Sequence, residues 1–325
     1  MRSFLTVFLL SITVYAQSSI PPIPKDDAVR IREFYRLSDH IQDKIWPDWS
    51  STPAPLLLVT PEVEYLTHHP ATPKEFQDVG NGFYGRPRQF DINLLATFPA
   101  FGPPSVIVVG EPANTDSKTS TPWLITLMHE HFHQLQHGQP GYYDAMQKLG
   151  LSGSDNSGMW MLNYPFPYDK EEVVKAFAEL RDSLLTAVNE SDEKKFTAEA
   201  HQYAQQRRKF FAQLSPNDAK YLSFQLWQEG IARYTQIKAA EAAVVYQPMR
   251  EYASLPDYES FAVYAPRLRS STLDELKRID LRKQKRVAVY SFGAAEGLLL
   301  DRMKPGWQGD YFKHMLSLDQ FFATN

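Results

Sequence analysis

Four of the chain's nine histidines fall within one nine-residue stretch, His129-Glu130-His131-Phe132-His133-Gln134-Leu135-Gln136-His137. The apolar run Trp123 to Met128 leads into it and Gly138 and Pro140 follow it, which predicts a helix ending just beyond the cluster. Residues four apart on a helix differ by ~400° of rotation and ~6 Å of rise, so the rings of His129 and His133 project from one face and can share one ion. Glu130 lies ~100° round from His129, near enough to take a proton from a water beside that ion without ligating it. His131 lies ~200° round and faces away, so a buried packing or supporting role is expected for it. His137 sits ~12 Å along the axis from His129, too far for three rings to converge on one tetrahedral ion. A site built on His133 and His137 alone would have Gln134 where a base is needed.

Composition narrows the metal chemistry. The 325 residues include no cysteine, which excludes disulfides, thiol nucleophiles and thiolate ligands, so any metal must be held by imidazole and carboxylate. Neutral imidazoles suit zinc at ~2.0–2.1 Å. With 43% hydrophobic and 22% charged residues the sequence reads as an ordinary globular chain rather than as disorder or coiled coil. Lys and Arg number 34 against 38 Asp and Glu, a formal charge of −4 with no run of five like charges, so nucleic acid is not an expected partner. At the N-terminus Arg2 precedes an apolar stretch from Phe4 to Val14, closing in Val14-Tyr15-Ala16. This pattern predicts a signal peptide over residues 1–16, cleaved near Ala16, and hence a secreted or periplasmic protein. The stretch is shorter than the ~20 apolar residues a span needs and no later segment qualifies, so no membrane association is expected after cleavage.

Periodicity sets the organisation. Apolar residues at helical spacing from Asp26 to Trp46 predict one amphipathic helix. Leu56 to Val59, Leu94-Leu95 and Val106 to Val109 are short apolar runs bounded by Pro and Gly, which read as strands of a small sheet. From Trp123 onward the pattern is mostly helical, broken by an irregular stretch from Gly138 to Asp169. Helices are expected from Glu171 to Val188, Asp192 to Leu214, Ser215 to about Val245, and Val287 to Met303. The expected fold is therefore α+β, with a small sheet-containing lobe over residues 17–120, a mainly helical lobe over 121–325, and the histidine helix at their junction.

A third ligand has to come from farther along. In Trp227-Gln228-Glu229-Gly230-Ile231-Ala232-Arg233-Tyr234, Glu229 falls on an expected helix whose apolar neighbours imply burial. Gly230 and Ala232 are small enough to let that helix approach the histidine helix. The plainer reading is an exposed i,i+4 pair of Glu229 with Arg233, worth only tenths of a kcal/mol; Asp144 and Glu179 are the fallback ligands.

His129-Glu130-x-x-His133 followed by Glu229-Gly230-x-Ala232 resembles the gluzincin branch of zinc metallopeptidases, in which a helix carrying two histidines faces a second helix carrying a Glu. The likeness covers residues 121–137 and 222–303. It implies a zincin-like helical lobe, zinc held by His129, His133 and Glu229 with an open fourth place, and Glu130 as general base. His133 and Glu229 are 96 residues apart, longer than in many gluzincins, so 138–220 reads as an insertion able to cover or shape the cleft. The long metzincin motif is absent, because Gln136 and Gln139 stand where it needs Gly and His. The Gly-x-Met-Glu-Asn motif of the large aminopeptidases is missing too, so no exopeptidase assignment follows. Such enzymes carry a donor for the oxyanion formed on water attack. Tyr290, at the start of a helix with a small-residue face, is the candidate, with core packing as its alternative. The expected function is a secreted zinc peptidase acting on a peptide or protein substrate by metal-activated water. The alternatives are a zincin-fold binding protein without turnover and a zinc hydrolase of a non-peptide substrate.

Overall fold

The computed structural model describes residues 20–155 and 157–323, so the expected leader at 1–16 lies outside the described residues. The first helix, α1 (Lys25–Ile45), carries Asp26 and Asp27 in its first turn and Lys44 in its last, complementing the helix dipole. Its apolar stripe, Val29, Ile31, Phe34, Leu37 and Ile41, is buried as the periodicity predicts.

Six strands follow: β1 (Leu56–Val59), β2 (Val63–Thr67), β3 (Gln77–Gly80), β4 (Phe83–Pro87), β5 (Leu95–Phe98) and β6 (Val106–Gly110). They form one sheet in the order β3-β4-β2-β1-β6-β5. Only β1 and β6 pair in parallel; the other pairs are antiparallel. Leu56, Leu58, Ile107 and Val109 face the helices, whereas Leu57, Val59, Val106 and Val108 face a smaller apolar cluster with Phe76 on the opposite side. Coverage of both faces is why β1 and β6 read as unbroken apolar runs. In contrast, β2 places the buried Glu64 opposite the buried Arg86 of β4, 2.8 Å apart. That charged pair interrupts the apolar signal, and β2, β3 and β4 were not expected from the sequence.

The remaining helices are α2 (Ser120–His137), α3 (Tyr142–Lys148), α4 (Trp160–Asn163), α5 (Glu171–Asn189), α6 (Glu193–Gln213), α7 (Pro216–Gln225), α8 (Ile231–Ala243), α9 (Arg250–Ala253), α10 (Phe261–Lys277), α11 (Leu281–Gln284) and α12 (Ala288–Met303). Asp192 caps α6 by accepting from the Lys194 and Lys195 amides, and Ser215 caps α7 with Pro216 in its first turn. No helix among the described residues is long and apolar enough to cross a membrane. The fold is α+β, with the sheet in the N-terminal part and helices thereafter. One continuous core joins α1 and the inner face of the sheet to the later helices, and α2 lies between them, packed on β5, β6, α1 and α8.

A π-helical turn, Leu226–Gly230, links α7 to α8. Gly230 does not serve the approach to α2; it meets α12, where a Cβ added to Gly230 would lie 2.6 Å from the Gly293 Cα and one added to Gly293 would lie 2.5 Å from the Gly230 Cα. The two backbones touch, and only glycine on both sides permits it. Gly293→Ala should therefore lower stability by about 1–3 kcal/mol through overpacking. A denaturant midpoint equal to wild type would show that the crossing relaxes freely.

Candidate metal centre

The structure brings His129, His133 and Glu229 together. His129 Nε2 lies 3.2 Å from His133 Nε2, and Glu229 Oε2 lies 3.9 Å from the first and 3.5 Å from the second. A tetrahedral ion with bonds of ~2.1 Å has ligand-to-ligand edges of ~3.4 Å, so the three separations match one shared ion. Among the described residues this is the one cluster of three potential ligands, and the fallback ligands Asp144 and Glu179 are exposed on α3 and α5. Arg233 pairs with Gln236 at 3.0 Å and approaches Glu275 at 3.6 Å, so the surface pair with Glu229 is not what the fold builds.

Glu229 reaches the cluster from within the π turn. A π turn widens the helix and leaves carbonyls without their usual i+4 partners. Here the Trp227 and Gln228 carbonyls accept from Gln136 Nε2, each at 3.2 Å, and the Tyr311 hydroxyl donates to the Trp227 carbonyl at 2.5 Å. Tyr311 also stacks on the Trp227 ring with centroids 4.7 Å apart, and both rings are fully buried, which fixes the turn.

Gln136 links this turn to the ligands. Carbonyls only accept, so the two it meets orient its amide with Oε1 toward His133, whose Nδ1 lies 2.7 Å away. His133 therefore carries a proton on Nδ1 and turns Nε2 into the site, the nitrogen free to ligate once it gives up its own proton. Gln228 Nε2, 3.1 Å from the protonated Nδ1 and 3.3 Å from His137 Nε2, is left to donate to His137. His137 Nδ1 then donates to Ser105 Oγ at 3.0 Å, so both its nitrogens are engaged and it is no ligand. His131 also points away: its Nδ1 lies 2.9 Å from Gln134 Oε1 and its ring stacks on Trp49. Sequence spacing foresaw both exclusions but not the role of Gln136. Gln136→Leu should weaken zinc affinity about 10–100-fold, as loss of a ligand's supporting hydrogen bond does. Competitive chelation would check it, and unchanged affinity would mean that Gln136 does not orient His133.

The electrostatics also suit a cation. Burial, with His133 nearby, pushes His129 down to about 3. Against burial, the hydrogen bond and charge of Glu229 hold His133 up at about 9. Burial would raise Glu229, yet His133 keeps it at about 2. With its pKa at about 9, His133 also holds a proton on Nε2, between His129 Nε2 at 3.2 Å and Glu229 Oε2 at 3.5 Å, and this is the positive charge a bound cation would replace. His129 Nδ1 is buried with no well-formed hydrogen bond, beside the Ala232 backbone. Two imidazoles, one carboxylate and this shared need for positive charge fit zinc.

Glu130 is buried next to the ligands, and burial pushes its carboxyl up. Thr97 of β5 donates to its Oε2 at 2.8 Å, orienting it. Tyr290 stacks on the His129 ring with centroids 6.2 Å apart, and burial followed by the Glu229 charge raises its hydroxyl, keeping it a neutral donor. Arg286, which the sequence reading missed, lies with Nη1 3.6 Å from Glu229 Oε1 and 3.3 Å from the Tyr290 hydroxyl. Nothing in its local sequence marks it; only the packing of α12 does. A cleft of about 680 Å³ opens onto His129, Glu130, Arg286 and Tyr290, and none of its lining residues comes from 138–220. The expected insertion does not wall this cleft.

No protein-family model matches the chain, and no curated protein or solved structure matches it either.

Proposed function

We propose that the chain is a zinc-dependent peptidase. The observation that carries the reading is the position of β5, an edge strand among the described residues, which runs past Glu130. The Gly110 amide donates to the Leu94 carbonyl at 2.9 Å. Alternation along the strand then turns the amides and carbonyls of Leu95 and Thr97 away from β6. An extended peptide can pair with that free edge as an added strand, which holds its backbone beside the metal ligands. A small non-peptide substrate has no use for such an edge, which favours the peptidase over the non-peptide hydrolase.

Zinc, when bound by His129, His133 and Glu229, would supply Lewis acidity that lowers the pKa of a water. Glu130 accepts the proton of the attacking water and passes it toward the leaving amine. Its burial and raised pKa bring it nearer the range where a carboxylate both takes and returns a proton. The Tyr290 hydroxyl donates to the oxygen that becomes negative on attack, and Arg286 beside it adds positive charge to that side of the cleft. Export is the accompanying proposal, supported by the leader pattern from Arg2 to Ala16. Incubation of the zinc-loaded protein with a broad peptide mixture, read by mass spectrometry, tests the reading. Cleavage should appear, stop with chelator and return with zinc; a metal-loaded protein that cuts none of the peptides contradicts it.

A further inference from the structure

The cleft wall opposite the sheet is basic in a chain whose formal charge is −4. Residues 267–286, which form most of α10, α11 and the approach to α12, hold eight Lys and Arg against three Asp and Glu. From this wall Arg267 and Arg286 line the cleft, and Arg233 of α8 joins them. Lys277, Arg278 and Lys285 stand exposed along the same segment.

The three cleft arginines are not equally committed. Arg286 is held by Glu229 and Tyr290, and Arg267 forms two hydrogen bonds with Glu259 at 2.7 and 2.5 Å. Arg233 is different: its one hydrogen bond at 3.0 Å goes to the neutral Gln236 amide, Glu275 lies 3.6 Å away and half exposed, and its Nε is buried with no partner. A guanidinium is a rigid fork suited to a carboxylate, and this one is left with donor capacity. It stands one helical turn beyond Glu229, ~6 Å along the axis, so an anion it holds lies within a residue or two of the reacting bond. Asp116, Glu130 and Glu275 also line the cleft and match its three arginines in number, so the positive excess lies in the segment 267–286 as a whole and the recognition inside the cleft falls to the uncommitted Arg233.

We infer that this wall selects acidic peptides, with Arg233 binding a substrate carboxylate close to the scissile bond. The inference rests on the peptidase reading and deepens it by naming the substrate class. The carboxylate can come from a Glu or Asp side chain or from the peptide's C-terminus.

The test uses the zinc-loaded Glu130→Gln protein, which should bind peptides without cutting them, and fluorescence anisotropy at low salt. The probes are labelled decapeptides of one sequence carrying two Glu, two Gln or two Lys, each with a free or an amidated C-terminus. The expected result is about tenfold tighter binding of the Glu peptide than of its Gln counterpart, the scale of one charged hydrogen bond, with the Lys peptide weakest. Preference for the free terminus alone would place the carboxylate at the chain end and also supports the inference. Adding Arg233→Gln should reduce the preference to less than about twofold with zinc content unchanged. Arg267→Gln, at an exposed position, supplies the same test should the Arg233 variant not fold, and should reduce the preference at least in part. Equal binding of all the peptides overturns the inference. Cleavage by the Glu130 protein separates the two readings: selective binding without cleavage of any probe contradicts the peptidase reading alone, and cleavage indifferent to charge contradicts the acidic selectivity alone.

Discussion

Glu130→Gln is expected to retain zinc and to lose about 10²- to 10⁴-fold in peptide hydrolysis, the contribution of a positioned general base. The amide cannot accept a proton from water, yet it keeps the size of the carboxyl and can still accept from Thr97, 2.8 Å away in the wild type. Because burial disfavours the charged form of Glu130, the neutral replacement should leave the melting temperature level or higher. Metal analysis, a rate assay and a thermal melt on one preparation check all three parts. Wild-type turnover in this variant would remove Glu130 from the mechanism.

Glu229→Ala should have the second large effect, on the metal itself. It removes one of three protein ligands, so zinc affinity should fall by more than about 100-fold, beyond the range seen for changes that only support a ligand. Glu241→Ala is the matched control. It lies on α8, ~18 Å farther along by helical rise, and is occupied with Arg269 at 2.8 Å. Competitive chelation should separate the two variants clearly. Equal retention in both would move the third ligand away from Glu229.

The readable parts of this site and the unreadable ones differ in the range of the interactions that make them. His129, Glu130 and His133 follow from spacing on one helix, so eight helical dihedrals carry the whole argument. Glu229 and Tyr290 were found through their small and apolar neighbours, which imply a buried helix crossing. That crossing exists, but the sequence could not say which helices meet there, and Gly230 turned out to pack on Gly293 of α12. The π turn was not legible because it is sustained from outside, by Gln136 and Tyr311, rather than by any residue preference within Leu226–Gly230. Thr97 and Arg286 were invisible for the same reason: each matters only because a distant element sets it beside Glu130 or Glu229. In the fold, α1, α5, α6 and α12 announced themselves by periodicity and caps, and β1 and β6 by burial on both faces. The Glu64–Arg86 pair hid β2 and β4, and Pro266 inside α10 masked that helix.

The central claim is that His129, His133 and Glu229 hold one zinc ion beside Glu130. Anomalous diffraction at the zinc absorption edge, from crystals of the zinc-loaded protein, tests it most directly. One peak should appear per chain, at ~2.0–2.2 Å from His129 Nε2, His133 Nε2 and a Glu229 carboxylate oxygen. A loaded crystal with no peak there, or with its peak between His133 and His137, would contradict the account.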